Sequence, residues 1–507
     1  MQVEASPSGK ISRDLIPTGI AGLDGILYGG IIKGNVIVLE GMPGVGKTTL
    51  ALEFIYRGAK EFNEPGVIVA FESSPDKLKR DAAGFGWDLD ELEQQGKIKI
   101  VYTTPSVLLE ELQSHDGVLS TEIQKIKAKR VVIDGLTPLK IFGEKLHGRP
   151  FRDSLHLLVD TLIRLETTPV LTTETFSTNP IGETGAGQEQ FLCDTIITLR
   201  NQARRRSVHR SIEIAKSRGQ NFISGRHSFK IVPDLGIQVF PRMYSRLNQK
   251  LTQKTSTKRS SLCSPAIDEM LGGGVLDGST TLVVGISGTG KSVLGMVFLS
   301  KGAEEGKKGL LVTLDEHSGQ ICRNADGLGL KFTEYVNRGD IEILYDTPME
   351  LDVDEHFYKI KKLIEDNNIE RVVIDSLAAY EAAQPEESHE FAFSLAAYFK
   401  DRLIVSLLNF ECPELLGISQ ISDELKASAL VDNIILLNYV EISTMIRRAM
   451  TIPKARGSKP DQRTREFIIQ AGGITVLDDT TSEAARVPQL PLSSYYGVLA
   501  RSPTRHS

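Results

Sequence analysis

Cysteine is scarce in this chain. Cys193, Cys263, Cys322 and Cys412 are the only four in 507 residues, and they follow neither metal-ligand nor disulfide spacing. That argues against a zinc module or a stapled secreted scaffold and favours buried thiols in a reducing compartment. No run is long and apolar enough to span a bilayer. The opening Met1-Gln-Val-Glu-Ala-Ser-Pro7 lacks the apolar core of a secretory signal, so the chain reads as cytoplasmic and free of the membrane. An excess of positive charge is also missing. Its 59 basic and 65 acidic residues leave a net −6, which makes nucleic acid a poor default partner. The run Arg204-Arg205-Arg206, with Arg210 nearby, has no aromatic interleaving and reads as a basic edge or a subunit contact.

What the chain does have is one phosphate-binding signature twice. The first copy is Gly41-Met-Pro-Gly44-Val-Gly46-Lys47-Thr48 and the second is Gly285-Ile-Ser-Gly288-Thr-Gly290-Lys291-Ser292. Each follows a short apolar strand pattern, Val36–Leu39 or Thr281–Val284, and each opens a helical stretch, beginning with Thr49 in the first copy. Two matches in strand-to-helix context, one domain length apart, predict two nucleotide sites.

The repeat extends past the loops. Asp24 of the Gly-Leu-Asp lead-in matches Asp268, and Gly41 matches Gly285, at the same spacing (268 − 24 and 285 − 41 are both 244). Gly66–Glu72 matches Gly309–Asp315, Arg130–Asp134 matches Arg371–Asp375, and Lys216-Ser-Arg218-Gly219 matches Lys454-Ala-Arg456-Gly457. The order holds while the spacing drifts slowly, as duplication of one module with small loop deletions would produce. Apolar strand runs alternate with helical stretches, so each module is expected to be α/β, with a mainly parallel sheet flanked by helices. The expected organisation is a first domain over 1–247, a polar basic linker over 248–264, a second domain over 265–480 and an extended tail over 481–507.

The chemistry follows from the residue types. Backbone amides freed by the loop glycines would wrap phosphates at a helix N-terminus, where the helix dipole favours anions. Lys47 and Lys291 would reach the β- and γ-phosphates. The Thr48 and Ser292 hydroxyls, with Asp134 and Asp375 at the ends of Val-Val-Ile strands, would hold Mg²⁺. Glu72 and the pair Asp315-Glu316 follow the neighbouring strands and are the candidates for positioning or deprotonating the nucleophile. Lys216 with Arg218, and Lys454 with Arg456, alternate along strands. Their repetition suggests a task such as neutralising a neighbouring subunit's γ-phosphate.

In these motifs the chain resembles the KaiC family, tandem RecA-like P-loop NTPases of the circadian-clock type. Further matches are Gly84-Phe-Gly-Trp87-Asp88, Asp432–Glu441 and Tyr496–Thr504, so the resemblance covers almost the whole chain. It implies ATP and Mg²⁺ in both domains, a two-tiered homo-hexamer with ATP between subunits, and a KaiB-like or other signalling partner. It implies that Glu72 is the base of the first ring, that Asp315 and Glu316 serve the second, and that Lys216, Arg218, Lys454 and Arg456 reach across the interface. It also implies Ser/Thr autokinase activity in the second ring.

This chain departs from the family pattern in two places. Glu72-Ser73 stands where the family has two acids. In the acceptor region, Ile421–Ala429, one hydroxyl stands where the family has two adjacent ones, with Ser428 the first candidate acceptor and Ser422 the next. A single-site autokinase and an ATPase without kinase output both fit. The competing reading is a RecA- or Rad-type DNA-dependent ATPase of recombination or repair, against which the acidic balance stands.

Overall fold

The computed structural model describes residues 14–112, 117–140, 151–175, 192–204, 207–243, 256–412, 431–442 and 445–477. The chain divides into two compact units, Met1–Ser245 and Arg246–Ser507. In the first, β1 (Leu15–Ile16) pairs antiparallel with β2 (Ile31–Ile32). The main sheet is built from β3 (Ile37–Gly41), β4 (Gly66–Ala70), β5 (Ile98–Tyr102), β6 (Arg130–Asp134), β7 (Thr168–Glu174), β8 (Thr195–Arg204), β9 (Ser207–Ser217), β10 (Arg226–Val232) and β11 (Gly236–Phe240). Their nine-stranded order is β11-β10-β9-β8-β3-β7-β6-β4-β5. From β8 to β5 the strands run parallel; β9, β10 and β11 extend the sheet in antiparallel fashion.

Alternation along the central strands explains why the parallel part is apolar throughout. Ile37 and Leu39 pack into one core with Leu50, Phe54 and Ile55 of the helix Lys47–Glu61. Val36 and Val38 pack into a second core with Leu155, Leu158 and Leu162 of the helix Phe151–Arg164. Successive side chains of a strand point to opposite faces, and helices cover both. Each fully buried large side chain contributes about 1.5–3 kcal/mol.

The second unit repeats this plan. Its strands are β12 (Arg259–Ser260), β13 (Val275–Leu276), β14 (Thr280–Gly285), β15 (Gly309–Thr313), β16 (Ile341–Tyr345), β17 (Arg371–Asp375), β18 (Val405–Glu411), β19 (Asn433–Ile442), β20 (Met445–Ala455), β21 (Arg465–Gln470) and β22 (Gly473–Val476). The main sheet runs β16-β15-β17-β18-β14-β19-β20-β21-β22, the same topology read from the other edge. Two mainly parallel sheets flanked by helices make two tandem RecA-like α/β units. Arg259–Ser260, which polar composition assigns to the link, form β12 against β13, and the adjoining Leu262 and Cys263 are buried in the second core.

Each unit also buries an arginine. Arg130 is 0% exposed and its Nε donates to Glu64 at 2.7 Å, its Nη1 to the Phe54 carbonyl at 2.8 Å and its Nη2 to the Pro17 carbonyl at 2.7 Å. Arg371 does the same work with the Phe298 carbonyl and Glu305. Each guanidinium also lies over a phenylalanine ring, Phe54 or Phe298. Gly58 and Gly302 make room, since a Cβ there would lie 2.4 Å and 2.5 Å from the arginine Cδ. Among the described residues no helix is long and apolar enough to cross a membrane.

Candidate functional site

In both units the phosphate loop leaves the carboxyl end of the central strand, β3 or β14, and runs into a helix. Gly46 and Gly290 make that junction at φ 112° and 110°. A side chain there is excluded by backbone strain and by Ile231 or Ile469, whose Cδ1 atoms would each sit 2.8 Å from an added Cβ. The helix that starts at each junction has its N-terminus at the phosphate loop, where an anion is favoured.

The loop lysines are docked on their own loops. Lys47 Nζ donates to the carbonyls of Gly41 at 2.9 Å and Met42 at 3.0 Å. Lys291 Nζ donates to those of Gly285 and Ile286, each at 2.9 Å. Burial pulls the Lys47 ammonium below its ordinary value, while the charges of Glu174 and Asp134 act against that.

Thr48 and Asp134 meet. Thr48 Oγ1 donates to the Asp134 carboxylate, 3.2 Å from Oδ1 and 3.1 Å from Oδ2. Thr172 Oγ1 donates to the same Oδ1 at 2.8 Å and accepts from the Gly135 amide at 2.7 Å. Burial pushes the Asp134 carboxyl above its ordinary range, against the hydrogen bonds from Thr172 and Thr48. A hydroxyl and a carboxylate sharing one point beside a phosphate cradle are oxygen donors of the kind Mg²⁺ takes. Glu72 and Thr49 line this first cleft, whose volume is ≈ 330 Å³, together with Gly44, Lys47, Thr48, Asp134 and Glu174.

The second cleft is larger, ≈ 860 Å³, and brings Lys291, Ser292, Asp315, Glu316, Asp375 and Glu411 together. Burial, then the charges of Asp375 and Glu411, push the Asp315 carboxyl up, and a hydrogen bond from the Ser376 hydroxyl opposes them. Tyr439 Oη and the Arg448 guanidinium donate to the Gly288 carbonyl, at 2.6 Å and 3.4 Å, and so brace the second loop.

The strand cations stand elsewhere. Lys216 Nζ donates to the Cys193 carbonyl at 2.7 Å, and Arg218 lies 3.9 Å from Asp194. Lys454 Nζ donates to the Val431 carbonyl at 2.8 Å, and Arg456 lies 3.6 Å from Asp432. Lys216 pairs with Ile196 and Lys454 with Ile434, at the starts of β8 and β19, whereas the phosphate loops leave the opposite ends of the adjoining β3 and β14. At about 3.3 Å per residue the separation from the unit's own loop is on the order of 15 Å. Ser422 and Ser428 lie outside the described residues.

One acid per cleft escaped the sequence reading. Glu174 and Glu411 end β7 and β18 and pair with the first loop glycines, Gly41 and Gly285. Their spacing (411 − 174 = 237) lies within one residue of that between Lys216 and Lys454 (454 − 216 = 238), and that was the signal available.

The family model described as a KaiC ATPase matches residues 16–244 and 264–481, the phosphate loop of each unit included. The chain belongs to the KaiC family. It is 32% identical over 521 residues to the circadian clock oscillator protein KaiC of Thermostichus vulcanus, covering 99% of this chain and 95% of that one. It is 33% identical to KaiC of Rippkaea orientalis, over 97% and 91% of the two chains. To KaiC 1 of Synechocystis it is 32% identical, over 97% and 92%. Family membership makes the chain an ATP-binding ATPase with tandem RecA-like units.

Proposed function

We propose that each unit binds and hydrolyses Mg-ATP, that the chains assemble into a homo-hexamer whose ATP sites are completed by the adjoining subunit, and that a signalling partner of the KaiB kind reads the ring's nucleotide state. The observation that carries this reading is the position of Lys216, Arg218, Lys454 and Arg456. They recur in both units yet sit at the far end of the sheet from their own phosphate loop. In a ring, that far end is free to face the next subunit's γ-phosphate.

In each site the loop amides and Lys47 or Lys291 bind the triphosphate. Thr48 with Asp134, and Ser292 with Asp375, would hold Mg²⁺, which supplies charge neutralisation between the β- and γ-phosphates. Glu72 takes the proton of the water that attacks the γ-phosphorus as the bond to the β–γ bridging oxygen breaks, leaving ADP and phosphate. Asp315, with Glu316, serves the second site; a carboxylate held above its ordinary pKa is a better proton acceptor when ionised. Autophosphorylation is a separable part of the reading, with Ser428 and then Ser422 as acceptors. It predicts label from γ-phosphate on the second unit that is lost in Ser428→Ala.

The test is steady-state turnover of Glu72→Gln, of Asp315→Asn with Glu316→Gln, and of all three combined. Each set removes its own share and the combination removes both. Unchanged total turnover in Glu72→Gln would make the first site a structural nucleotide site.

A further inference from the structure

Among the described residues, the second unit contains a buried polar chain that the first does not reproduce. His356 and Tyr380 are 1% and 0% exposed. His356 Nδ1 lies 2.6 Å from Asp346 Oδ2, and its Nε2 lies 2.8 Å from Tyr380 Oη. Lys359 Nζ donates to both Asp346 oxygens, at 3.0 Å and 3.1 Å. Burial opposes the charge on Asp346, but the hydrogen bonds from His356 and Lys359 hold its carboxyl below the ordinary range. An ionised Asp346 only accepts, so Nδ1 carries a proton and donates to it; in the neutral ring Nε2 then accepts from the Tyr380 hydroxyl. The tyrosine ring is pinned from its face by Phe391, with centroids 4.6 Å apart.

Both ends of this chain reach the segment that carries Asp315. At one end the Asp346 amide donates to the Thr313 carbonyl at 3.3 Å. Thr313 Oγ1 in turn accepts from the amides of Asp315 at 3.2 Å and Glu316 at 3.4 Å. At the other end Tyr380 lies one helical turn after Ser376, and Ser376 lines the second cleft with Asp315. Fixing the Tyr380 hydroxyl therefore fixes the turn that presents Ser376.

We infer that Asp346, His356 and Tyr380 are positioning residues of the second ATPase site, holding Asp315 in register with the phosphate loop. The inference rests on the reading of Asp315 as the acid that handles the attacking water. A plain core role explains the chain poorly, because burying polar groups carries a desolvation cost that apolar residues avoid. At the matching positions of Asp346 and Tyr380 the first unit has neither an acid nor a tyrosine. Its repeat register places Thr103 at the position of Asp346, Gly135 at that of Ser376, and the buried Leu139 at that of Tyr380. There the acid is Glu72, one methylene longer; the shorter Asp315 reaches less far and depends more on its support.

The experiment uses the full chain with Glu72→Gln, so that turnover reports the second site. Tyr380→Phe is expected to lower kcat about tenfold or more while KM for ATP moves less than about twofold, because misplacing a reacting group costs rate rather than ground-state binding. His356→Leu is expected to do the same. His356→Gln, whose amide can donate to Asp346 and accept from Tyr380, is expected to recover most of the loss. An unchanged kcat in Tyr380→Phe overturns the inference, and so does a fall in kcat matched by a rise in KM and a lower melting temperature. Asp315→Asn separates the two layers. If it leaves turnover intact, the reading of the site fails. If it is inactive while Tyr380→Phe is fully active, only the positioning role fails.

Discussion

The Lys291 ammonium stands 3.5 Å from the Glu411 carboxylate, beside the two loop carbonyls that hold it. An anion that docks on the loop amides must share Lys291 with this acid. Glu411 is about half exposed, so solvent screens its repulsion and the effect is modest, about 1 kcal/mol. Glu411→Gln is therefore expected to tighten ATP binding at the second site about fivefold. Titration with a slowly hydrolysed ATP analogue checks this, and weaker binding would mean that Glu411 helps to hold the nucleotide.

Thr48 and Asp134 make a direct hydroxyl–carboxylate contact in the first cleft. If that contact marks the cation position, Thr48→Val and Asp134→Asn remove the magnesium dependence of nucleotide binding at that site. The expected loss is about 1–3 kcal/mol of affinity in magnesium, and little in chelator. Nucleotide dissociation constants measured with and without Mg²⁺ decide it.

Glu53 is a buried acid on the helix that follows the first phosphate loop. It accepts from the Ile237 amide at 2.7 Å and lies 3.2 Å from Arg57, and burial pushes its carboxyl up to about 7. Raised above its ordinary value of 4.5, it lends the first unit stability that is fully present below pH 4.5 and is lost as pH rises through about 7. The loss amounts to at most about 3 kcal/mol. Trp87, the chain's one tryptophan, is buried in the same unit and reports its unfolding by fluorescence. Glu53→Gln is expected to flatten the decline between those pH values; Val297 stands at the matching position of the second unit (297 − 53 = 244).

Arg130 bonds to Glu64, Phe54 and Pro17 with its side chain wholly buried. Arg130→Met leaves Glu64 without its buried partner and takes one donor from each of the Phe54 and Pro17 carbonyls, at an expected cost of about 3–5 kcal/mol in the Trp87 transition. Arg371→Met carries the same expectation for the second unit. Wild-type stability in either variant would mean that the guanidinium contributes nothing beyond filling space.

Much of this was legible because the duplication supplied a second copy of each signal. The loops, the acids after the neighbouring strands and the Lys-x-Arg pairs are short local patterns, and the apolar strands repeat with them. The buried arginines open the matching segments Arg130–Asp134 and Arg371–Asp375, but nothing local tells a buried Arg130 from a surface one. Its environment is assembled from Pro17, Phe54 and Glu64, which are distant in sequence. Glu174 and Glu411 were missed for a similar reason, since only strand pairing brings them beside Gly41 and Gly285. Asp346, His356 and Tyr380 come from three separate elements, and no spacing rule joins them. Leu262 and Cys263 lie in a polar stretch, yet they join the core once β12 pairs with β13.

The shared-site ring is tested most directly by native mass with a count of bound nucleotide, with and without Mg-ATP. The account predicts a six-chain species in Mg-ATP that carries two nucleotides per chain and loses its assembly in Lys216→Ala/Arg218→Ala with Lys454→Ala/Arg456→Ala. A single chain in saturating Mg-ATP, or one nucleotide per chain, would contradict it.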